Sequence, residues 1–353
     1  MPANRQVSDT RERDPWRLSA SVAVAIATIV AIAGGVSLLL HRSAGQPASE
    51  VILYCAQDQV FAEPILAEFT RRTGIRVKAV FDSEAVKTVG LANRLLAERG
   101  HPACDVFWGN EEFRTRQLAA AGIFREPDGW TAFGRRTRRL VVDTRRIGDP
   151  SSVDLEPAGQ GGTIVIDPPA KGPPITPPAS LLELTNSRWR GKVSLAFPLF
   201  GTTATHLHAL RQHWGESNWT TWCRALAANR PFLEEGNSQV VRRVARGEAW
   251  IGLTDSDDIG AGRREGFSVA ALPVSPEMLT IPNTVGIVRG APHPEAAQRL
   301  SDHLTSPEVR AELVAVAALE DGAADEATLQ PDWPVLLREL DRSTARLQEI
   351  FRR

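Results

Sequence analysis

The chain has 353 residues, 42% of them hydrophobic and 24% charged, with a formal net charge of −1. That is globular composition with enough length for two domains, each burying its own core. The near-zero charge excludes the strong basic footprint of a nucleic-acid binder, so no nucleic-acid partner is expected.

The first local signal is at the N-terminus. Arg11, Arg13 and Arg17 precede an uncharged stretch at 18–40, "LSASVAVAIATIVAIAGGVSLLL". As a helix it spans roughly 35 Å, enough to cross a bilayer core. The arginines place residues 1–17 in the cytoplasm as a short tail, with the remainder exported after a linker at 41–50. Ser43, Ala44 and Gly45 also offer small residues at the spacing of a cleavage site, so a removable signal segment is the alternative. The length of the apolar run favours an uncleaved inner-membrane anchor. The exported chain carries three cysteines, Cys55, Cys104 and Cys223. Cys55 would end one strand and Cys104 begin another, at opposite edges of a parallel sheet, so they read as buried small hydrophobes.

From residue 51 strands and helices alternate. "VILYCA" is a strand, 60–73 a helix closed by Gly74, "IRVKAVF" a strand and 84–99 a helix with Ser83 as its cap. "CDVFWG" is a strand and 110–121 a helix. This alternation predicts a mainly parallel sheet with helices on both faces. Another strand is expected in "RRLVVDTRRI" at 138–147. A Pro/Gly-rich loop follows, in which "TIVI" could pair. A second α/β region has a strand at "KVSLAFP", helices at 203–214, 218–228 and 238–246, and strands at "AWIGL", "FSVAALPV" and "TVGIVRG". Helices fill 294–317 and 334–352.

Ligands of open parallel sheets bind beyond the carboxyl ends of the strands. Nearly every such end here is polar or acidic: Asp58; Ser83; Asn110 and Glu111; Thr202 and Thr203; Asn237 and Ser238; Asn283; and, after "WIGL", the run Thr254, Asp255, Ser256, Asp257 and Asp258. Helix capping would account for Ser83, Asn237, Ser256 and Thr203 taken singly. A helix dipole would account for Asp257 and Asp258. Seven such ends together point to a polar cleft lined from two sheets. His206 and His208 are two residues apart and face different sides of a helix, which disfavours a histidine metal site. No phosphate loop, nucleophile elbow or metalloprotease motif occurs.

Five blocks in order resemble the ferric-ion-binding branch of ABC-importer solute-binding proteins, with the type 2 periplasmic-binding-protein fold. They are "VILYCAQDQVFAEPILAEFTRRTGI", "CDVFWGNEEFRTRQLAAAG", "RWRGKVSLAFPLFGTTATH", "GNSQVVRRVARGEAWIGLTDSDD" and "IPNTVGIVRGAPHPEAAQRLSDHLTSPEV". The resemblance implies two α/β lobes: 51–140 completed by about 277–310, and 141–276 with C-terminal helices at about 311–353. It implies a ligand trapped between the lobes by hinge closure, and ABC permease and ATPase subunits as partners. It implies no catalytic activity and no cofactor; a bound metal ion would be cargo. In iron-binding members adjacent tyrosines follow the strand before the cleft and bind Fe(III). Here Asp255, Ser256, Asp257 and Asp258 stand in that place, and the single tyrosine, Tyr54, lies inside the first strand. Asp58 stands where those members often have a histidine, and Asn110-Glu111 where they have a glutamate. The residues leave two ligand classes open. Asp58, Glu111, Asp255 and Asp257 are hard oxygen donors for a metal cation or a cationic solute. Ser83, Thr202, Thr203, Asn237 and Asn283 at helix starts would instead hold a small anion such as a phosphonate. A membrane-tethered solute sensor and, more remotely, an enzyme are the other readings.

Overall fold

The computed structural model describes residues 50–82, 88–125, 129–147, 153, 174–273, 275–321 and 327–352. The 18–40 segment, Ser83 and "TIVI" lie outside these residues. Among the described residues no helix is long and apolar enough to cross a membrane.

The expected alternation is present. β1 (Glu50–Cys55) lies between β2 (Arg76–Phe81) and β3 (Val106–Gly109), all parallel. Helix α1 (Gln59–Thr73) turns Ala62, Ile65, Leu66 and Phe69 onto this sheet. Each of the larger apolar side chains contributes about 1.5–3 kcal/mol by leaving water. The helix stops at Gly74, whose φ of 73° suits glycine and whose N–H closes on Thr70 O. Helices α2 (Val89–Ala97) and α3 (Glu112–Ala120) follow. Tyr54 is 1% exposed and its hydroxyl donates to Glu98, so the only tyrosine is a core residue of this half of the sheet. The three cysteines are buried and form no disulfide.

The strand expected at 138–147 is longer and begins earlier. β4 (Trp130–Asp143) pairs through residues 130–137 with β9 (Thr280–Ile287) and through 138–142 with β7 (Ile251–Asp255), both antiparallel. It therefore crosses from the first half of the sheet to the second. The ladder slips between Phe133 and Arg135. Gly134 sits there at φ 60°, where an added Cβ would lie 2.2 Å from Leu319 Cδ1. Only glycine fits the bulge.

In the second half β5 (Val193–Ala196) runs parallel to β7 and to a short strand not expected from the sequence, β6 (Phe232–Glu234); β8 (Val269–Ala271) pairs with β4. Helices α4 (Gly201–Trp214), α5 (Glu216–Ala228), α6 (Asn237–Ala245) and α7 (Ser256–Arg264) accompany them. The region expected to be helical over 294–317 is two helices, α8 (Pro294–Leu304) and α9 (Pro307–Ala315), parted where Ser306 caps the second through Val309 N. Val309, Leu313 and Leu319 pack in the core of the first half. That corrects the assignment of everything beyond 311 to the second lobe. Of the C-terminal segments, α10 (Trp333–Phe351) does join the second half's core, through Leu336, Leu340, Leu347 and Phe351.

Candidate solute-binding cleft

A cavity of about 30 Å³ opens at the carboxyl ends of the strands. The first half contributes Asp58 after β1 and Asn110 after β3. The second half contributes Thr202 and Thr203 at the start of α4, Asn237 at the start of α6, and Asp255, Asp257 and Asp258 at the β7–α7 junction. Arg136 lines it from the crossing strand β4. The volume accommodates a small ion with a water molecule or so.

The centre of the site is Asp255, 2% exposed. One oxygen accepts from Arg138 Nη1 at 2.7 Å. The other accepts from Thr202 Oγ1 at 2.7 Å, Asn237 Nδ2 at 3.0 Å and Arg136 Nε at 3.3 Å. Burial pushes this carboxyl up, but Arg138 and Arg136 outweigh burial and hold it below the ordinary aspartate value. Thr203 and Asn237 were candidates for capping, but the N-cap positions are Phe200 and Gly236. The side chains of Thr202 and Asn237 are instead spent on Asp255 and on each other, Asn237 Nδ2 donating to Thr202 Oγ1 at 3.0 Å.

Arg136 is the link between the two halves. Its Nη2 donates to Asn110 O at 2.6 Å, its Nη1 to Asn283 Oδ1 at 2.9 Å, and its Nε faces Asp255 and, at 3.5 Å, Asp257 Oδ1. Burial pulls the guanidinium pKa down; Asp257, Asp255, Asp58 and Asp258 reverse this and raise it. Arg138 is wholly buried behind Asp255. Its Nη1 also reaches Thr202 and Asn237, while its Nε and Nη2 make no hydrogen bond.

The remaining expected site residues divide. Asp58 lies at the N-cap position of α1 without capping it and faces the cavity. Asn110 also accepts from Thr88 Oγ1 at 2.6 Å, and Thr203 approaches Asn237 Oδ1 at 3.5 Å. Ser256 Oγ accepts from Thr137 N, tying β4 to the start of α7. Ser238 is half-buried and does not line the cavity. Glu111 is corrected outright. Expected as a metal ligand, it is the N-cap of α3, accepting from Phe113 N at 2.6 Å and Arg114 N at 3.0 Å, and Thr205 Oγ1 occupies it from the second half. Burial pushes its carboxyl up despite these donors. Both histidines find their partners outside the cavity: His206 Nε2 donates to Glu277 O, and His208 Nδ1 pairs with Ser343 Oγ. Burial lowers both imidazoles to about 3, so they are neutral core residues.

Two chemical consequences follow. Five carboxylates, Asp58, Glu235, Asp255, Asp257 and Asp258, line the cavity against a single arginine, Arg136, with Arg138 behind it. Oxygens of Asp255, Asp257 and Asp258 lie within 4.8 Å of one another, a spacing one hard cation can bridge. Asp255 is saturated by donors; Asp257, Asp258 and Asp58 line the cavity beside it. The sequence reading missed Arg136 and Arg138. Their spacing of two on an extended segment puts them on one face of a strand, and that was the available signal.

The sequence pattern of the bacterial extracellular solute-binding protein family matches residues 51–315. The major ferric iron-binding protein of Neisseria meningitidis is 24% identical over 227 residues, 58% of this chain and 59% of that protein. The chain thus spans about three-fifths of the length of such curated relatives. Iron-bound HitA of Pseudomonas aeruginosa superposes with a TM-score of 0.66 at 19% identity, covering 86% of this chain and 99% of that one. AfuA of Actinobacillus pleuropneumoniae, solved with fructose-6-phosphate bound, gives a TM-score of 0.67 at 16% identity over 85% of this chain and 98% of that one. These similarities show the periplasmic-binding-protein fold, and with a family match across most of the chain the protein is a member of the bacterial extracellular solute-binding protein family.

Proposed function

We propose that the protein is the capture component of an ABC importer and that its cargo is a metal cation held between the two halves of the sheet. The observation that carries this reading is the lining of the cleft: five carboxylates and one arginine, Arg136, around a cavity of about 30 Å³. Carboxylates gathered into one small cleft repel one another and are costly to bury, so a cation stabilises the closed arrangement that encloses it. That is the coupling a carrier needs, because a ligand shifts a conformational equilibrium only by binding one state better. Oxygen-only donors suit a hard ion. The ferric proteins of Neisseria and the iron-bound neighbour from Pseudomonas support iron as one candidate, bound here by carboxylates in place of tyrosinates.

A small anion is the second reading, favoured by the two Arg138 nitrogens, Nε and Nη2, that make no hydrogen bond. Protein purified without chelators should carry close to one metal ion per chain by elemental analysis. Recovery of an organic anion with no metal, by mass spectrometry of the released contents, would sink the cation reading.

The partners in this proposal are the permease and ATPase subunits of the importer, met on the periplasmic side of the inner membrane. Residues 18–40 serve as an uncleaved anchor, supported by their length and the arginines before them. Full-length protein should then stay with membranes through a carbonate wash. A soluble form beginning near residue 46 would show a cleaved signal segment instead.

A further inference from the structure

We propose that Gly260, a residue that does not line the cavity, sets how closely the two halves approach over the cleft and thereby the affinity for the cargo. The inference goes beyond the cation reading and holds for a cargo of either charge.

Helix α7 turns one stripe of residues toward the first half. Asp257, Gly260 and Arg264 are spaced by three and four, which places them on one helix face. Asp257 lines the cavity. Gly260 lies against Ala317: a Cβ built on it would sit 3.0 Å from Ala317 Cβ and 3.6 Å from Ala317 O. The Arg264 guanidinium carbon is 5.9 Å from the centroid of the Phe61 ring on α1. Phe61 packs on the core of the first half, and Ala318 and Leu319, next to Ala317, belong to that core. A helix of the second half therefore touches the first half one turn on from a cleft residue.

Local preference is reversed on both sides of this contact. Gly260 lies inside α7, where alanine is the more stable choice. Ala317 has a φ of 50°. It follows the end of α9, where its N–H closes on Val314 O and that of Ala318 on Leu313 O. Such a paired helix ending puts a left-handed residue at this point, and glycine is its usual occupant. Each position thus carries the residue that the other would prefer, and neither is explained within its own element. The contact explains them together. The Ala317 methyl group packs against the backbone of α7 in the space that a Cβ at 260 would take. A larger residue at 260 excludes this arrangement and leaves those in which the halves stand further apart. Binding that draws on both halves then weakens with the fraction of protein still able to adopt it.

Titration calorimetry with Mn²⁺ tests the idea. Gly260→Ala should bind about threefold more weakly than wild type, and Gly260→Leu about tenfold or more, as overpacking a close contact requires. Adding Ala317→Gly to Gly260→Ala removes the opposing methyl group and should bring affinity back to within about twofold of wild type. That rescue is the readout a merely damaged helix would not give, since it requires the two residues to touch. Unchanged binding by Gly260→Leu, or no rescue by Ala317→Gly, overturns the proposal. Gly260→Ala and its rescue carry the test should Gly260→Leu not fold. If wild type does not bind Mn²⁺, the cation reading fails by itself, and small-angle scattering of the ligand-free proteins decides here. Gly260→Leu should show a larger radius of gyration than wild type, and equal radii overturn the inference.

Discussion

Replacing Asp257 and Asp258 together by asparagine weakens Mn²⁺ binding by about 2–4 kcal/mol, roughly 30- to 700-fold, because two charge-assisted contacts are lost. Both residues open α7 and line the cavity, and neither carries the four-donor network that occupies Asp255. The substitution keeps shape and hydrogen-bonding capacity while deleting charge. It thus separates an electrostatic role from a steric one. The sign separates the two readings of the cleft. A cation loses affinity, whereas a small anion near Arg136 and Arg138 is held as tightly or more tightly once the carboxylates are gone. Titration calorimetry of wild type and double variant with Mn²⁺ decides, and unchanged or tighter Mn²⁺ binding would count against the cation reading.

Asp255→Asn should cost about 3 kcal/mol or more of stability at pH 7, since removing one partner of a buried ion pair leaves the other charge stranded. Here two guanidinium groups are stranded, both of them 2% exposed or less. The corresponding fall in melting temperature is roughly 5–10 °C. The pH dependence has a definite sign. The folded carboxyl sits below its ordinary value, so its contribution is fully present above the unfolded pKa of about 3.9 and is lost as pH falls through the folded value. Wild type and variant should therefore converge as pH drops below about 4. Urea denaturation at pH 7 and at pH 3 measures this. A stability gap as wide at pH 3 as at pH 7 would mean that packing, rather than charge, holds Asp255 in place.

The acidic stretch that ends β7 was legible as a cleft edge because position alone implies it. A buried run such as Ile251–Asp255 that opens a helix at Ser256 must deliver its polar residues to the carboxyl end of the sheet. Asp58, Asn110, Thr202, Thr203 and Asn237 followed from the same rule, and the structure brings them to one cavity. Glu111 obeyed the rule by position and not by direction. Its side chain turns back onto Phe113 N and Arg114 N, since a carboxylate one residue before a helix satisfies the helix's own orphan donors.

The sequence by itself determined the alternating elements, the closing turn at Gly74, the core place of Tyr54 and the family resemblance. Each depends on local periodicity, on a single residue's conformational preference or on blocks of contiguous residues. Only the tertiary structure decided the electrostatics of the cleft. "RRTRR" at 135–139 reads as a solvated run of charge, yet Arg136 and Arg138 are buried because β4 crosses between the two halves of the sheet. Their partner Asp255 lies 119 and 117 residues away along the chain. Contacts of that separation are made by strand pairing and crossover, and a one-dimensional pattern carries no record of which charges they bring together.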